Sequence, residues 1–168
     1  MGNADILAHI CAHFPGDLRV DDAVTDEDCL LVAPEDLVAL CLLLRDDPAL
    51  KFDFMSDICG VDFWPETPRF QLVYQLYSIP FKRRLRLKCR LENATAPSIT
   101  QVWTTANWHE REAWDMYGID FTGHPDLRRI YMWEEFDGFP MRRDFPLRGY
   151  KDEMNPFGDE PKPKGGAA

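Results

Sequence analysis

Residues 84–91 read RLRLKCRL, the most regular alternation of side-chain type in the chain. The apolar set is Leu85, Leu87, Cys89 and Leu91, and the cationic set is Arg84, Arg86, Lys88 and Arg90. Because successive side chains of a β-strand point to opposite faces, a period of two predicts a strand here. We expect its apolar face to lie in a hydrophobic core and its cationic face to be solvated or bound to a partner.

Seven further segments carry secondary-structure signals on either side of this strand. They are helices at 5–13, 34–45 and 108–117, and strands at 29–32, 52–61, 70–79 and 98–103. A run of strands bracketed by helices is typical of an α+β fold, a mostly antiparallel sheet with helices on one face. An extended irregular C-terminal arm is expected to follow that domain.

The last predicted helix has signals at both ends. Asn107 is a good N-cap, and Glu110, three residues later, completes a capping-box pattern. Gly118 fits the left-handed position that ends many helices. Arg111 and Asp115, four residues apart, are expected to pair along an otherwise buried surface. Two interpretations of Glu110 stay open: it folds back to cap the helix, which the spacing favours, or it is a functional buried carboxylate.

Residues 119–168 combine six prolines and six glycines with eight aromatic residues. The prolines and glycines argue against regular structure, whereas disordered tails contain few aromatic residues. We therefore predict an α+β domain at 1–118, an extended partner-binding arm at 119–156 and a disordered tail at 157–168. Burial of the rings of the arm in another polypeptide would produce an interface of the obligate class.

The net charge of −10 is unevenly distributed along the 168 residues. Residues 1–62 hold fourteen acidic and three basic side chains, whereas residues 63–100 hold two acidic and seven basic ones. An acidic protein is poorly suited to general nucleic-acid binding, and the basic strand lacks the exposed aromatic residues of RNA-binding sheets. We expect its cations to contact protein or solvent rather than RNA.

The chain lacks the sequence marks of a catalytic or cofactor-binding protein. The five cysteines include no CxxC pair, which favours reduced, buried thiols over a metal or iron–sulfur site. There is no GxGxxG, Walker A, HExxH or GxSxG motif. The longest uncharged apolar run, residues 37–44, is too short to span a membrane, and the N-terminus lacks the basic region of a secretory signal. We expect no catalytic, cofactor-binding or metal-binding residues.

Two features of the arm invite a functional interpretation. His124 precedes Pro125 and is either a hydrogen-bonded structural histidine beside a turn, which the context favours, or a proton-exchanging residue. Arginine doublets at 128–129 and 142–143 flank an acidic patch and alternate with aromatic residues. Because a guanidinium binds a carboxylate through two parallel hydrogen bonds, we expect the doublets to pair with carboxylates of a partner; solvated surface pairs are the alternative.

Three blocks resemble the signature of the hydrophilic 30 kDa subunit family of respiratory complex I, the NADH–quinone oxidoreductase. EREAWDMYGI at 110–119 resembles the family motif ERE-x-x-D-hydrophobic-hydrophobic-G-I, and FTGHPDLRRI at 121–130 matches F-x-GHPDLRRI. PMRRDFPL at 140–147 resembles PLRKDFPL, with Met for Leu and Arg for Lys. The matching residues that we predict to bind a partner are Glu110, Arg111, Glu112, Asp115, Gly118, Phe121, His124, Pro125, Arg128, Arg129, Arg142, Arg143, Asp144, Phe145 and Pro146.

The resemblance implies a non-catalytic scaffold subunit in the peripheral arm of a proton-pumping NADH:quinone oxidoreductase. Its partners would be the large quinone-site subunit of the 49 kDa type and the cluster-bearing subunits, and FMN and iron–sulfur clusters would lie in those partners. It would sit peripherally on the cytoplasmic side of the inner (plasma) membrane, held through the complex. The equivalent subunit of a membrane-bound hydrogenase or ferredoxin-linked complex is the alternative, and a free-standing RNA-binding module is disfavoured by the acidic composition.

Overall fold

In a computed structural model of the chain, which describes residues 3–24, 26–153 and 155–160, the alternating octapeptide lies within a nine-residue strand. In chain order the elements are α1 (Asn3–His13), β1 (Leu18–Val20), β2 (Cys29–Val32), the 3-10 helix η1 (Pro34–Asp36), α2 (Leu37–Asp46), β3 (Phe54–Asp62), β4 (Phe70–Ser78), β5 (Arg83–Leu91), β6 (Thr95–Pro97), α3 (Ala106–Tyr117) and β7 (Asp120–Thr122). Among the described residues, no helix has the length and apolar character needed to cross a bilayer.

Five strands form the main sheet in the order β1-β2-β5-β4-β3. All neighbours are antiparallel except β2 and β5, so the predicted mostly antiparallel sheet is confirmed. Strand β4 pairs Tyr74 with Leu87 and Leu76 with Leu85, which places the apolar side chains of both strands on one face. The alternation read from residues 84–91 therefore defines the two faces of the whole sheet.

The helices cover the apolar face, as predicted. Helix α2 buries Leu37, Leu40, Cys41 and Leu44, a spacing that places all four on one side of the helix. Helix α3 lies against β3, where a methyl group at Gly60 would come within 2.6 Å of the Tyr117 ring. Gly60 pairs with Leu72, so its missing side chain belongs to the same apolar face. Only glycine lets the helix approach this closely.

The cationic face of β5 is matched by carboxylates of the same chain. Lys88 donates to Asp21 at 2.7 Å and Arg86 to Glu27 at 2.9 Å, both acids lying in the loop before β2. The hydrogen bond from Lys88 is the main reason that the pKa of Asp21 lies below its usual value. The uneven charge along the sequence thus reflects pairing between the acidic N-terminal region and the basic strand, and not a surface that attracts polyanions.

Two predicted boundaries are wrong. Residues 98–103 form a turn rather than a strand, because the Ile99 carbonyl accepts hydrogen bonds from the N–H groups of Val102 and Trp103. The strand comes just before, as β6, and pairs in parallel with β7. Ile119 and Phe121 are buried in the core, so residues 119–122, which we assigned to the arm, pack as part of the domain.

The rest of the C-terminal region, residues 123–160, is hereafter called the folded arm. It contains turns and one isolated bridge, in which Lys151 donates to the Asp159 carbonyl and Asp159 donates to the Gly149 carbonyl. The predicted disordered tail began at residue 157, whereas 157–160 take part in or adjoin this bridge. The remainder of the predicted tail, 161–168, lies outside the described residues.

Candidate functional site

The three signature blocks converge where the folded arm crosses helix α3. Most of their charged side chains hold the arm on the domain, and the charges come mainly from three buried nodes. One node is centred on Glu110, the second on Asp115, and the third on Asp62, which belongs to none of the three blocks.

Glu110 is fully buried and fixes the turn that leads into α3. Its carboxylate accepts hydrogen bonds from the Ser98 hydroxyl and the Ile99 N–H, both at 2.7 Å. The predicted capping box is therefore wrong: α3 begins at Ala106 with Thr105 as N-cap, so Glu110 lies in its second turn, too far along to cap. Burial raises the pKa of Glu110 to about 7, although its two hydrogen bonds oppose that rise.

His124 closes the same node from the side of the arm. The N–H of Asp126 donates to its Nδ1 at 3.0 Å, which leaves the hydrogen on Nε2. Nε2 then faces the Asn107 carbonyl at 3.2 Å, and the Glu110 carboxylate lies 3.9 Å away. The side chain is fully buried. This geometry matches the structural histidine that the sequence favoured.

Asp115 anchors the second signature block. One carboxylate oxygen accepts hydrogen bonds from three consecutive N–H groups, those of Ile130, Tyr131 and Met132, at 2.8–3.1 Å. The other oxygen pairs with the Arg129 guanidinium. Burial opposes ionisation of Asp115, but these donors outweigh it and hold its pKa below the usual value.

The predicted pairing of Arg111 with Asp115 is wrong, because both side chains turn to the arm. Arg111 donates to the carbonyl groups of Arg128 and Arg129, at 3.1 and 3.3 Å. Arg129 also donates to the carbonyls of Phe136 and Gly138. The two buried guanidinium groups therefore satisfy backbone acceptors of an irregular segment that has no ladder of its own.

The third block docks on the end of α3. Gly118 ends the helix with φ of 71°, as predicted, and a methyl group there would lie 2.5 Å from both the Arg142 guanidinium and the Phe139 ring. Arg142 donates to the Tyr117 carbonyl at 2.6 Å and lies over the Phe139 ring at 4.3 Å. Glycine is thus required here both for its backbone angle and for the close approach of the arm.

The sequence analysis missed the residues that hold this block from the far side. Asp62, at the end of β3, accepts hydrogen bonds from Arg69 and from the N–H of Arg143. Arg69 also pairs with Asp144 at 2.6 Å, linking the sheet to the arm. Burial works against ionisation of Asp62, yet these donors and the N–H of Trp64 lower its pKa to about 2. No local pattern marks Asp62 or Arg69, because their partners on the arm lie more than seventy residues away.

The predicted pairing of the arginine doublets with carboxylates of a partner is wrong for the two buried arginines. Arg129 and Arg142 find their acceptors in this chain, whereas Arg128 is exposed and pairs with Asp126. Arg143 uses its backbone N–H on Asp62, and its side chain is exposed.

The remaining signature residues occupy mixed positions. Phe121 belongs to the core. Glu112 is half-buried and lies 3.5 Å from the Tyr131 hydroxyl. Pro125 is exposed, and the Pro146 carbonyl accepts the turn hydrogen bond from Gly149. The Phe145 ring contacts a neighbouring aromatic ring on each side.

Among the residues that the structure describes, no group of three or more His, Cys, Asp or Glu side chains is placed to hold a metal ion. The buried carboxylates act on hydrogen-bond donors of their own chain. What the site does chemically is to give a proline- and glycine-rich segment one shape and present its other side outward.

Comparison with known proteins gives this architecture a family. A model of the family described as respiratory-chain NADH dehydrogenase, 30 Kd subunit, matches residues 30–151. The chain belongs to this family. Members of the 30 Kd subunit family work within a heteromeric enzyme complex, so the chain is one component of an enzyme rather than a free-standing one. The three signature blocks all lie inside the matched range.

Curated relatives of the 30 Kd subunit family agree. The chain is 65% identical over 137 residues to the C 2 subunit of NADH-quinone oxidoreductase from Rhizobium etli, covering 81% of this chain and 73% of that one. It is 68% identical over 133 residues to the protein of the same name from Rhizobium meliloti, covering 79% and 73%. The corresponding NADH-quinone oxidoreductase protein of a Roseiflexus species is 42% identical over 149 residues, covering 88% and 86%.

Two solved structures share the fold. A trypsin-resistant fragment of Nqo5 superposes with a TM-score of 0.61 at 27% identity, covering 74% of this chain and 98% of the fragment. A chain of the archaeal membrane-bound sulfane sulfur reductase superposes with a TM-score of 0.74 at 20% identity, covering 86% and 85%. The second likeness is one of fold alone.

Proposed function

We propose that the chain is a non-catalytic scaffold subunit in the peripheral arm of a proton-translocating NADH:quinone oxidoreductase. In this proposal its C-terminal arm packs on the large quinone-site subunit of the 49 kDa type, on the cytoplasmic side of the inner (plasma) membrane. The partners carry FMN and the iron–sulfur clusters that pass electrons from NADH to quinone. The contribution of this chain is to hold that large subunit in place.

The observation that carries the proposal is a set of large apolar side chains exposed on a rigidly held segment. On the folded arm, Tyr131 is 61% exposed, Met141 55%, Leu147 102% and Phe157 86%. Exposed apolar groups clustered on one segment are typical of an interface. Because the buried nodes fix the backbone beneath them, a partner would meet a preformed surface and lose less conformational entropy on binding.

The equivalent subunit of a hydrogenase-type or ferredoxin-linked complex is the second candidate. The shared fold with a chain of the archaeal membrane-bound sulfane sulfur reductase, described as a respiratory membrane complex, is the observation that favours it. The two candidates differ in the subunits that accompany the chain. Both use the same arm in the same scaffolding role.

Co-purification from the native organism tests the proposal. Tagged chain expressed at its native level should bring down a large quinone-site subunit and cluster-bearing subunits, identified by mass spectrometry. Accompanying subunits of the NADH-oxidising type support the first candidate, and hydrogenase-type subunits support the second. Recovery of the chain alone contradicts both.

A matched pair of variants locates the contact. Tyr131→Ser/Met141→Ser/Leu147→Ser removes exposed apolar groups from the folded arm and should release the partners. The control, Phe54→Ser/Ile79→Ser/Phe81→Ser, removes three exposed apolar groups from the main sheet and its β4–β5 turn. Surface changes of this kind alter the unfolding free energy by only about 0.5 kcal/mol each, so both variants should stay folded. Equal partner recovery from both would refute the role of the arm.

A further inference from the structure

The folded arm repeatedly uses one kind of host for a cation, an aromatic wall beside a carboxylate. Arg129 is the clearest case. Its guanidinium pairs with Asp115 and lies 5.6–5.7 Å from the ring centres of Trp114, Phe136 and Phe139. Cations are attracted to the faces of aromatic rings, and a carboxylate beside the rings adds the ionic partner.

A second host of the same composition lies at the end of the sheet. Arg69 pairs with Asp62 and Asp144, and its guanidinium lies 5.0 Å from the ring centre of Trp64 and 4.9 Å from that of Phe70. In both hosts the cation comes from this chain. The chemistry by which the arm holds an arginine is therefore the same at two independent places.

A third aromatic wall is open to the outside. Trp133 meets Phe136 edge-on at 4.9 Å, Phe136 lies 5.9 Å from Phe145, and Phe145 meets Tyr150 at 5.2 Å. These four rings line a surface groove of about 360 Å³. The Trp133 side chain at its mouth is 49% exposed, so the wall is accessible.

The rim of this groove is acidic. It carries four acidic side chains and one basic one, namely Glu135, Asp137, Asp152, Glu153 and Lys151. Within the described part of the chain, Glu135, Asp137 and Glu153 form no ion pair. The Lys151 ammonium points to Glu160, 3.1 Å away. The rings and carboxylates of the other two hosts recur here, but the cation that fills them does not come from the described lining.

We propose that this aromatic-acidic groove binds a lysine or arginine side chain from a basic segment of a neighbouring subunit. The inference rests on the proposed scaffold function and adds the chemistry of one contact. It also reverses the polarity expected from the sequence: the arm presents carboxylates and rings outward, and the partner supplies the cation. Charge complementarity selects a basic segment, and the aromatic wall selects an extended cationic side chain over a hydrated metal ion.

Charge reversal in the assembled complex tests the proposal. Glu135→Lys/Asp137→Lys should lower the co-purified large subunit at least about tenfold, because a positive rim repels the cation it should bind. The control, Asp22→Lys/Glu92→Lys, makes the same change in net charge at positions outside the arm and should leave recovery unchanged. Trp133→Leu keeps an apolar side chain but removes one ring face, and should lower recovery roughly two- to fivefold. Wild-type recovery from the Glu135→Lys/Asp137→Lys variant overturns the proposal.

Photo-crosslinking gives a readout that does not depend on a charge-reversed arm being folded. A benzophenone side chain at position 135 in the intact complex should crosslink to a partner peptide containing lysine or arginine. Crosslinks to an acidic or uncharged peptide overturn the proposal. So do crosslinks to a second copy of this chain, or to its own residues 161–168, which include Lys162 and Lys164.

The two proposals fail in different ways. If the wild-type chain recovers no partner subunits, the scaffold function falls. If the wild-type chain recovers them and the reversed variant does so equally, the groove proposal alone falls.

Discussion

Replacing Asp115 by Asn should release the folded arm from helix α3 while the domain stays folded. The carboxylate is fully buried, and one of its oxygens accepts the N–H groups of Ile130, Tyr131 and Met132. Its other oxygen pairs with Arg129. The amide of Asn keeps the shape and one acceptor, but it carries no charge and turns a donor toward existing donors.

The magnitude follows from the charge left without its partner. Breaking a buried ion pair from one side costs about 3–5 kcal/mol, since the remaining charge stays desolvated. Hydrogen bonds to a charged acceptor contribute about 1.5–3 kcal/mol each, and the three N–H groups share one oxygen, so their losses do not add. We take about 3–5 kcal/mol for local opening of the arm. That range corresponds to roughly 100- to 4,000-fold faster exchange of the three amide hydrogens.

Hydrogen exchange measured by NMR at those three amides is the assay. The matched control is Asp126→Asn, the same chemical change in an exposed pair with Arg128, which should cost at most about 1 kcal/mol and leave the three amides protected. Exchange within the main sheet should stay slow in both variants. Unchanged protection of residues 130–132 in the Asp115 variant would refute the reasoning that this carboxylate organises the arm.

Three further predictions concern the same nodes. Gly118→Ala should lower the unfolding free energy by at least about 1 kcal/mol more than Gly123→Ala in denaturant melts, because both glycines have positive φ but only the first adjoins packed atoms; equal losses would show that the arm does not press on the helix end. Burial raises the pKa of Glu110 to about 7 from 4.5, so between those pH values only the folded state holds the proton and stability declines as pH rises; Glu110→Gln should remove a decline on the order of 3 kcal/mol, seen by comparing melts near about pH 5 and about pH 8. Arg129→Ala should destabilise the arm by about 3–5 kcal/mol and Arg128→Ala by at most about 1 kcal/mol, measured by thermal melts and trypsin sensitivity, whereas similar losses would contradict the burial of one and the exposure of the other.

The interpretation of Glu110 shows how local patterns can mislead. A capping box requires the helix to begin at a particular residue, and the sequence placed that start at Asn107. In the structure, the carbonyls of Trp103 and Thr105 accept the first turn's hydrogen bonds from Ala106 and Trp108, so the helix begins earlier. The same residue types then serve a different partner, the turn at Ser98. Only the position of that turn in the tertiary structure identifies it.

The sequence by itself determined what depends on neighbours a few residues apart. The alternation at 84–91 defined a half-buried strand, and Gly118 marked a helix end, because side-chain direction and backbone angle are set locally. The α+β class and the family signature followed from the order of such segments.

Only the tertiary structure decided which charges meet. Arg129 reaches Asp115 across 14 residues, and Arg69 reaches Asp144 across 75. A guanidinium accepts any carboxylate that the fold brings within range, so its residue type does not specify its partner. The arginines that we expected to face another subunit turned inward because the fold places buried carboxylates beside them. The acidic residues of the arm were left on the outside, where the structure gives them an aromatic wall.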